Sequence, residues 1–94
     1  MNPPNSSDSL IRSAAESITR RMAKGGRSIP ALTSIIELVG NDETELALDE
    51  IGRVIEYFRI PILRTEYDQL FSAAAQLDSV DSLTDVGIDQ FIIE

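Results

Sequence analysis

The sequence has no cysteine, no histidine and no tryptophan. Without cysteine there is no disulfide framework, no zinc–thiolate site and no thiol chemistry. Without histidine the commonest general base and the commonest metal ligand are both missing. No apolar run reaches the length of a membrane span, so no membrane association is expected. The first residues lack a basic start followed by an apolar block, so no secretory signal is expected and the default location is cytoplasmic. Basic residues are scarce too, with 8 Lys and Arg against 16 Asp and Glu, for a net charge of −8. The 94 residues allow one domain with one modest core.

The charge is unevenly spread. Residues 1–36 carry five basic residues (Arg12, Arg20, Arg21, Lys24 and Arg27) and two acidic ones, a net +3. Residues 37–94 carry fourteen acidic residues and three basic ones, a net −11. Such a surface repels nucleic acid and anionic membranes and favours a basic protein partner.

Apolar spacing predicts an all-α domain, a compact bundle of four short helices over about 8–24, 29–39, 43–59 and 65–77, with a short fifth element possible. Met1 to Ser7 is rich in Pro, Asn and Ser and is expected to fray; residues 78–94 read as an irregular acidic tail. In the first helix Leu10, Ile11, Ala14, Ile18 and Met22 form the apolar stripe. Ser6 or Ser7 caps it, Gly25-Gly26 stops it, and Arg20, Arg21 and Lys24 suit its C-terminal dipole. Ser28 is expected to cap the second helix, with Pro30 in its first turn and Gly40 at its end.

The third helix carries Ala47, Leu48, Ile51, Val54, Ile55 and Phe58 on one face. Asp42 with Glu45 reads as a capping box, with Asn41 or Thr44 as alternative caps, and Pro61 ends the helix. Thr65 with Asp68 reads as the next cap, and Tyr67, Leu70, Phe71, Ala74 and Leu77 as the inward face of the fourth helix. Helices three and four are expected to form an αα-hairpin. In the tail, Ser79 to Val86 can make a helical turn, Gly87 breaks it, and Phe91-Ile92-Ile93 reads as an edge strand or a strap across the core.

The chemical motifs are few. The tail aspartates lack the spacing of a calcium loop. Asp81-Ser82-Leu83 has the form of the acyl-carrier attachment tripeptide, but only eleven residues follow Leu83, and Asp8-Ser9-Leu10 repeats the tripeptide elsewhere. There is no phosphate loop, nucleophile elbow or metal motif, so neither an enzyme nor a bound cofactor or metal is expected. Helices two and three suggest a helix-turn-helix, but the recognition helix would carry Glu43, Glu45, Asp49, Glu50 and Glu56 against Arg53 alone.

That helix is the most informative surface. Glu45, Asp49 and Glu56 lie opposite its core stripe with Arg53 among them, and Glu43, Leu46, Glu50 and Tyr57 form one flank. Carboxylates interleaved with an aromatic suit a basic protein partner; alternatively Leu46 and Tyr57 contact a neighbouring helix. Asp68, on the outward stripe of the fourth helix, extends the acidic surface or serves its own cap.

Residues 45–77 resemble small bacterial immunity proteins of the MafI-like type. The matching features are Glu45-Leu46-Ala47-Leu48-Asp49-Glu50-Ile51, then Ile55-Glu56, Ile60-Pro61-Ile62, Glu66-Tyr67 and Leu70. The resemblance covers about a third of the chain and implies tight neutralisation of a sibling toxin, many of which are nucleases with basic grooves. The alternative expectation is a small acidic adaptor or oligomerisation module. Free in solution, the chain is expected to be a monomer or a weak homodimer, the latter through Phe91-Ile92-Ile93.

Overall fold

The computed structural model describes residues 6–93. The expected fraying at the N-terminus therefore lies outside the described residues, apart from Ser6 and Ser7. The domain is all-α. Its elements are α1 (Ser7–Lys24), α2 (Pro30–Gly40), α3 (Thr44–Phe58), β1 (Ile62–Leu63), α4 (Arg64–Gln76), α5 (Asp81–Thr84), a 3₁₀ turn (Ile88–Phe91) and β2 (Ile92–Ile93). Each long helix begins and ends within one residue of its expected limits, because apolar period and breakers are local properties.

The caps follow the sequence less closely. Ser6 caps α1, its hydroxyl accepting from the Ser9 N–H. Ser28 does not cap α2; Ile29 holds that position with its side chain buried, and Pro30 opens the helix with its pre-set φ. The Asp42–Glu45 capping box does not form. Asp42 takes a left-handed φ of 62° in the tight reversal after α2, leaving Glu43 at the cap with no side-chain bond. Thr44, already in the first turn of α3, donates its hydroxyl to Asp8 instead. Thr65 is likewise not a cap: α4 starts at Arg64, and Glu66 reaches back to accept from the Leu63 N–H at 2.9 Å.

The expected pairing of helices three and four is replaced by another. Helix α2 packs on both α1 and α3, while α4 packs chiefly along α1 and touches α3 only slightly. A polar seam shows why. Ser13, Ser17 and Arg21, spaced four apart on α1, meet Gln69, Glu66 and the Pro61 carbonyl in reverse order, so α4 runs antiparallel to α1. Alongside, Ala14 and Ala15 of α1 and Ala73 and Ala74 of α4 are fully buried, and residues that small allow close approach. Arg21 grips both carboxylate oxygens of Glu66, Nη2 to Oε1 at 2.8 Å, and also donates to Pro61. Its role is thus an interhelical clamp rather than a dipole partner at the end of α1. Glu66 is 1% exposed, the one buried charged residue among those described.

The segment after Leu77 is ordered and contributes to the core. Leu83 and Ile88 are buried, and β2 pairs in parallel with β1, Ile62 opposite Ile92 and Leu63 opposite Ile93. Phe91-Ile92-Ile93 thus spans the end of the 3₁₀ turn and a short strand. Helix α5 lies flush on α3 at Gly52, where a Cβ would sit 3.1 Å from the Ser82 carbonyl oxygen and 3.3 Å from Val86 Cγ2. Two aromatics expected inward are half out: Phe58 is 38% and Phe71 39% exposed. Phe58 occupies the last turn of α3, and Phe71 lies on the side of α4 turned away from the α1 seam.

Burial pushes the Glu66 carboxyl up, but the Arg21 hydrogen bonds, the Leu63 N–H, the Ser17 hydroxyl and the Arg21 charge outweigh it and hold it below its ordinary value of 4.5. A group with a lowered folded value stabilises fully above about pH 4.5, and that stabilisation is lost as the pH falls through the folded value. Urea denaturation near pH 6 and pH 3 should show this acid loss in the parent and a much flatter profile in Glu66→Gln. Removing one partner should cost about 3–5 kcal/mol in Glu66→Ala, while the paired apolar replacement Arg21→Met with Glu66→Leu should recover only part of it, because the Leu63 N–H and the Pro61 carbonyl lose their partners as well. Gly52→Val should destabilise by about 1–3 kcal/mol despite improving helix propensity, because a backbone carbonyl blocks the new side chain. Amide exchange should then accelerate selectively over residues 81–93.

Candidate functional site

The antiparallel return of α2 leaves α1 and α3 parallel. At one end Thr44 bonds Asp8, joining the two helix N-termini. At the other, the Arg27 guanidinium reaches the Phe58 carbonyl at 3.5 Å, joining the C-terminal ends. The N-terminal end opens into a groove of about 440 Å³ lined by Ser7, Asp8, Asp42, Glu43, Thr44, Glu45, Leu46 and Leu77. Four carboxylates thus surround an opening with two leucines in its lining. The N-termini of α1 and α3 (about +1) are offset by the C-termini of α2 and α4, which end beside the groove at Asp42 and Leu77, so the four carboxylates leave this end negative. Among the described residues no three side chains converge to hold a metal ion. The groove is suited to an extended cationic group, with an apolar stem against leucine and a charged head among carboxylates.

The structure divides the expected site residues. Glu43, Glu45 and Leu46 line the groove, and Leu46 is 47% exposed. Asp49 and Glu50 both face Arg53, at 3.0 and 3.5 Å, so about half of the negative charge in the middle of the α3 face is offset by its own arginine. These are exposed pairs, each worth a few tenths of a kcal/mol, and they influence local potential more than stability. Glu56 and Tyr57 lie a helix-length from the groove, and Tyr57 is 81% exposed, so it does not contact a neighbouring helix. Asp68 sits on α4, pairs loosely with Arg64 at 4.0 Å and does not line the groove.

Asp8, Asp42 and Leu77 join the groove although the sequence reading does not place them among the partner-binding residues. Asp8 belongs to the segment whose summed charge is positive, and only the parallel alignment of α1 with α3 brings it to the acidic end. A faint local signal exists, since Asp8 stands in the first turn of one helix and Asp42 just before another, where carboxylates are favoured.

Among the described residues no helix is long and apolar enough to cross a membrane. No protein-family model, curated protein or solved structure matches this chain.

Leu46 and Tyr57 are exposed, so their removal should leave folding intact. Leu46→Ala and Tyr57→Ala should each shift the unfolding free energy by no more than about 0.5 kcal/mol in urea titrations. A loss above about 1.5 kcal/mol would place the side chain in a structural rather than a contact role.

Proposed function

We propose that this chain is a non-enzymatic binding protein that takes the basic surface of a partner protein onto its acidic groove. In this reading it is a cytoplasmic immunity protein, and the partner is a toxin, a nuclease with a basic substrate groove. The observation that carries the binding reading is the concentration of carboxylates at one end of the molecule. Asp8, Asp42, Glu43 and Glu45 line a single opening in which no Lys or Arg stands among the described residues, whereas the carboxylates halfway along α3 share Arg53. The toxin identity rests on the resemblance of residues 45–77 to MafI-like immunity proteins.

The physics suits a protector. Opposite potentials steer two proteins together at about 10⁸ M⁻¹s⁻¹ or faster at low salt. Leu46 and Leu77 add apolar contact that salt does not screen, which slows dissociation. The reading orders the α3 carboxylates by their local compensation. Glu43→Lys with Glu45→Lys should weaken partner binding at least tenfold more than Asp49→Lys with Glu50→Lys, both variants keeping the helical circular dichroism of the parent. Co-purification from the native host through a high-salt wash should yield a stoichiometric basic protein, toxic alone and harmless with this chain. Full protection by the Glu43→Lys, Glu45→Lys variant would remove the groove from the mechanism, and recovery of a non-toxic partner would remove the toxin.

A further inference from the structure

The end opposite the groove carries a feature that the binding reading does not use. Tyr57 projects from the last turn of α3, 81% exposed, more than any other large apolar side chain among those described. Its ring stands edge-on to Phe58, with centroids 4.9 Å apart and planes at 77°, so it is a supported projection. Beside it Arg59 ends the helix in the left-handed region at φ 51°, a conformation that glycine adopts at no steric cost. An arginine is kept there at the cost of backbone strain, and its side chain is exposed. Arg27 lies against the Phe58 carbonyl, and Lys24 is in the last turn of α1. The ion pairs among the described residues use Arg21, Arg53 and Arg64; Lys24, Arg27 and Arg59 stand outside them, as do Arg12 and Arg20 farther up α1. The C-termini of α1 and α3 (about −1) are offset by the N-termini of the antiparallel α2 and α4, so these three cations outweigh Glu56.

The two ends are complementary in sign and in shape. One has an aromatic projection flanked by cations, and the other has an acidic opening with Leu46 and Leu77 in its lining. The 18 residues of α1 span about 27 Å along a molecule whose longest dimension is 33 Å, so the projection cannot reach the groove of its own chain. A groove of about 440 Å³ is of the size that holds small ligands and accommodates one aromatic side chain. We propose that copies of this chain associate head to tail, with Tyr57 of one copy seated between Leu46 and Leu77 of the next. Arg59, Arg27 and Lys24 then face Glu43, Glu45, Asp42 and Asp8. The contact is heterologous, so each added copy leaves one free groove and one free projection, and short chains grow without closing. The net charge of −8 limits their length, and salt dissolves them by screening the end-to-end attraction. The inference concerns the chain alone and does not depend on a toxin partner. A basic partner at the groove would compete with the neighbouring copy.

Sedimentation velocity on the isolated chain tests this with two surface variants. One removes the projection (Tyr57→Ala with Arg59→Gly), and the other the groove (Glu43→Gln, Glu45→Gln and Leu46→Ser). The parent should gain mass with concentration at low salt and return to monomer in about 0.5 M salt, where screening reaches within a few ångströms. Each variant alone should weaken self-association at least tenfold. An equimolar mixture should form one-to-one dimers and nothing larger, since only one projection and one groove remain intact. A parent that stays monomeric at millimolar concentration and low salt overturns the proposal. So does a variant that self-associates like the parent, or a mixture that stays monomeric while the parent does not. Circular dichroism of both variants, expected to match the parent, excludes misfolding as the cause.

Discussion

The grip of Arg21 on Glu66 decides where the second half of the chain goes. Desolvating two charges is expensive, and a well-packed apolar pair could seal the α1–α4 interface as well or better. An apolar pair could not also satisfy the Leu63 N–H and the Pro61 carbonyl, both stranded where the chain turns from α3 into α4. One ion pair therefore closes the helix start, the connection and the interhelical contact together. It turns α4 onto α1 and away from α3, leaving the outer face of α3 to solvent and one side of α3 free for α5 and the 3₁₀ turn.

The helices were legible because their causes are local. Ile11, Ala14, Ile18 and Met22 repeat at helical spacing, and Gly25-Gly26, Gly40 and Pro61 interrupt it. The partner of α4 was not legible, because the residues that select it lie far apart in sequence. Arg21 reads as one of three cations suited to the end of the first helix, and nothing in the sequence singles out Ser13, Ser17 or Glu66 for an interhelical seam. Nothing in composition marks a glutamate for burial when its arginine stands 45 positions earlier. The same limit explains the site. Glu43, Glu45 and Leu46 could be read from the wheel of one helix, but Asp8 and Leu77 belong to a groove that three helices build together.

Summed charge also misplaced the polarity. Counted along the chain, the first third is basic and the rest acidic. In space the division follows helix direction, with acids gathered where α1 and α3 begin and bases where they end. Each placement is favourable to its own helix dipole. Because α1 and α3 are parallel, these local preferences reinforce one another instead of cancelling as in an up-and-down pair. A molecule with opposite poles arises from ordinary helix electrostatics plus one topological choice.

The pairing of β1 with β2 has a bearing on how the chain comes off the ribosome. Ile62 finds Ile92 across thirty positions, and Leu83 and Ile88 fill the core from the same late segment. Helices α1 to α3 can pack on one another first, but the side of α3 that receives α5 stays uncovered until residues 81–93 are in place. A nascent chain stalled before residue 81 would display that apolar side to chaperones and proteases.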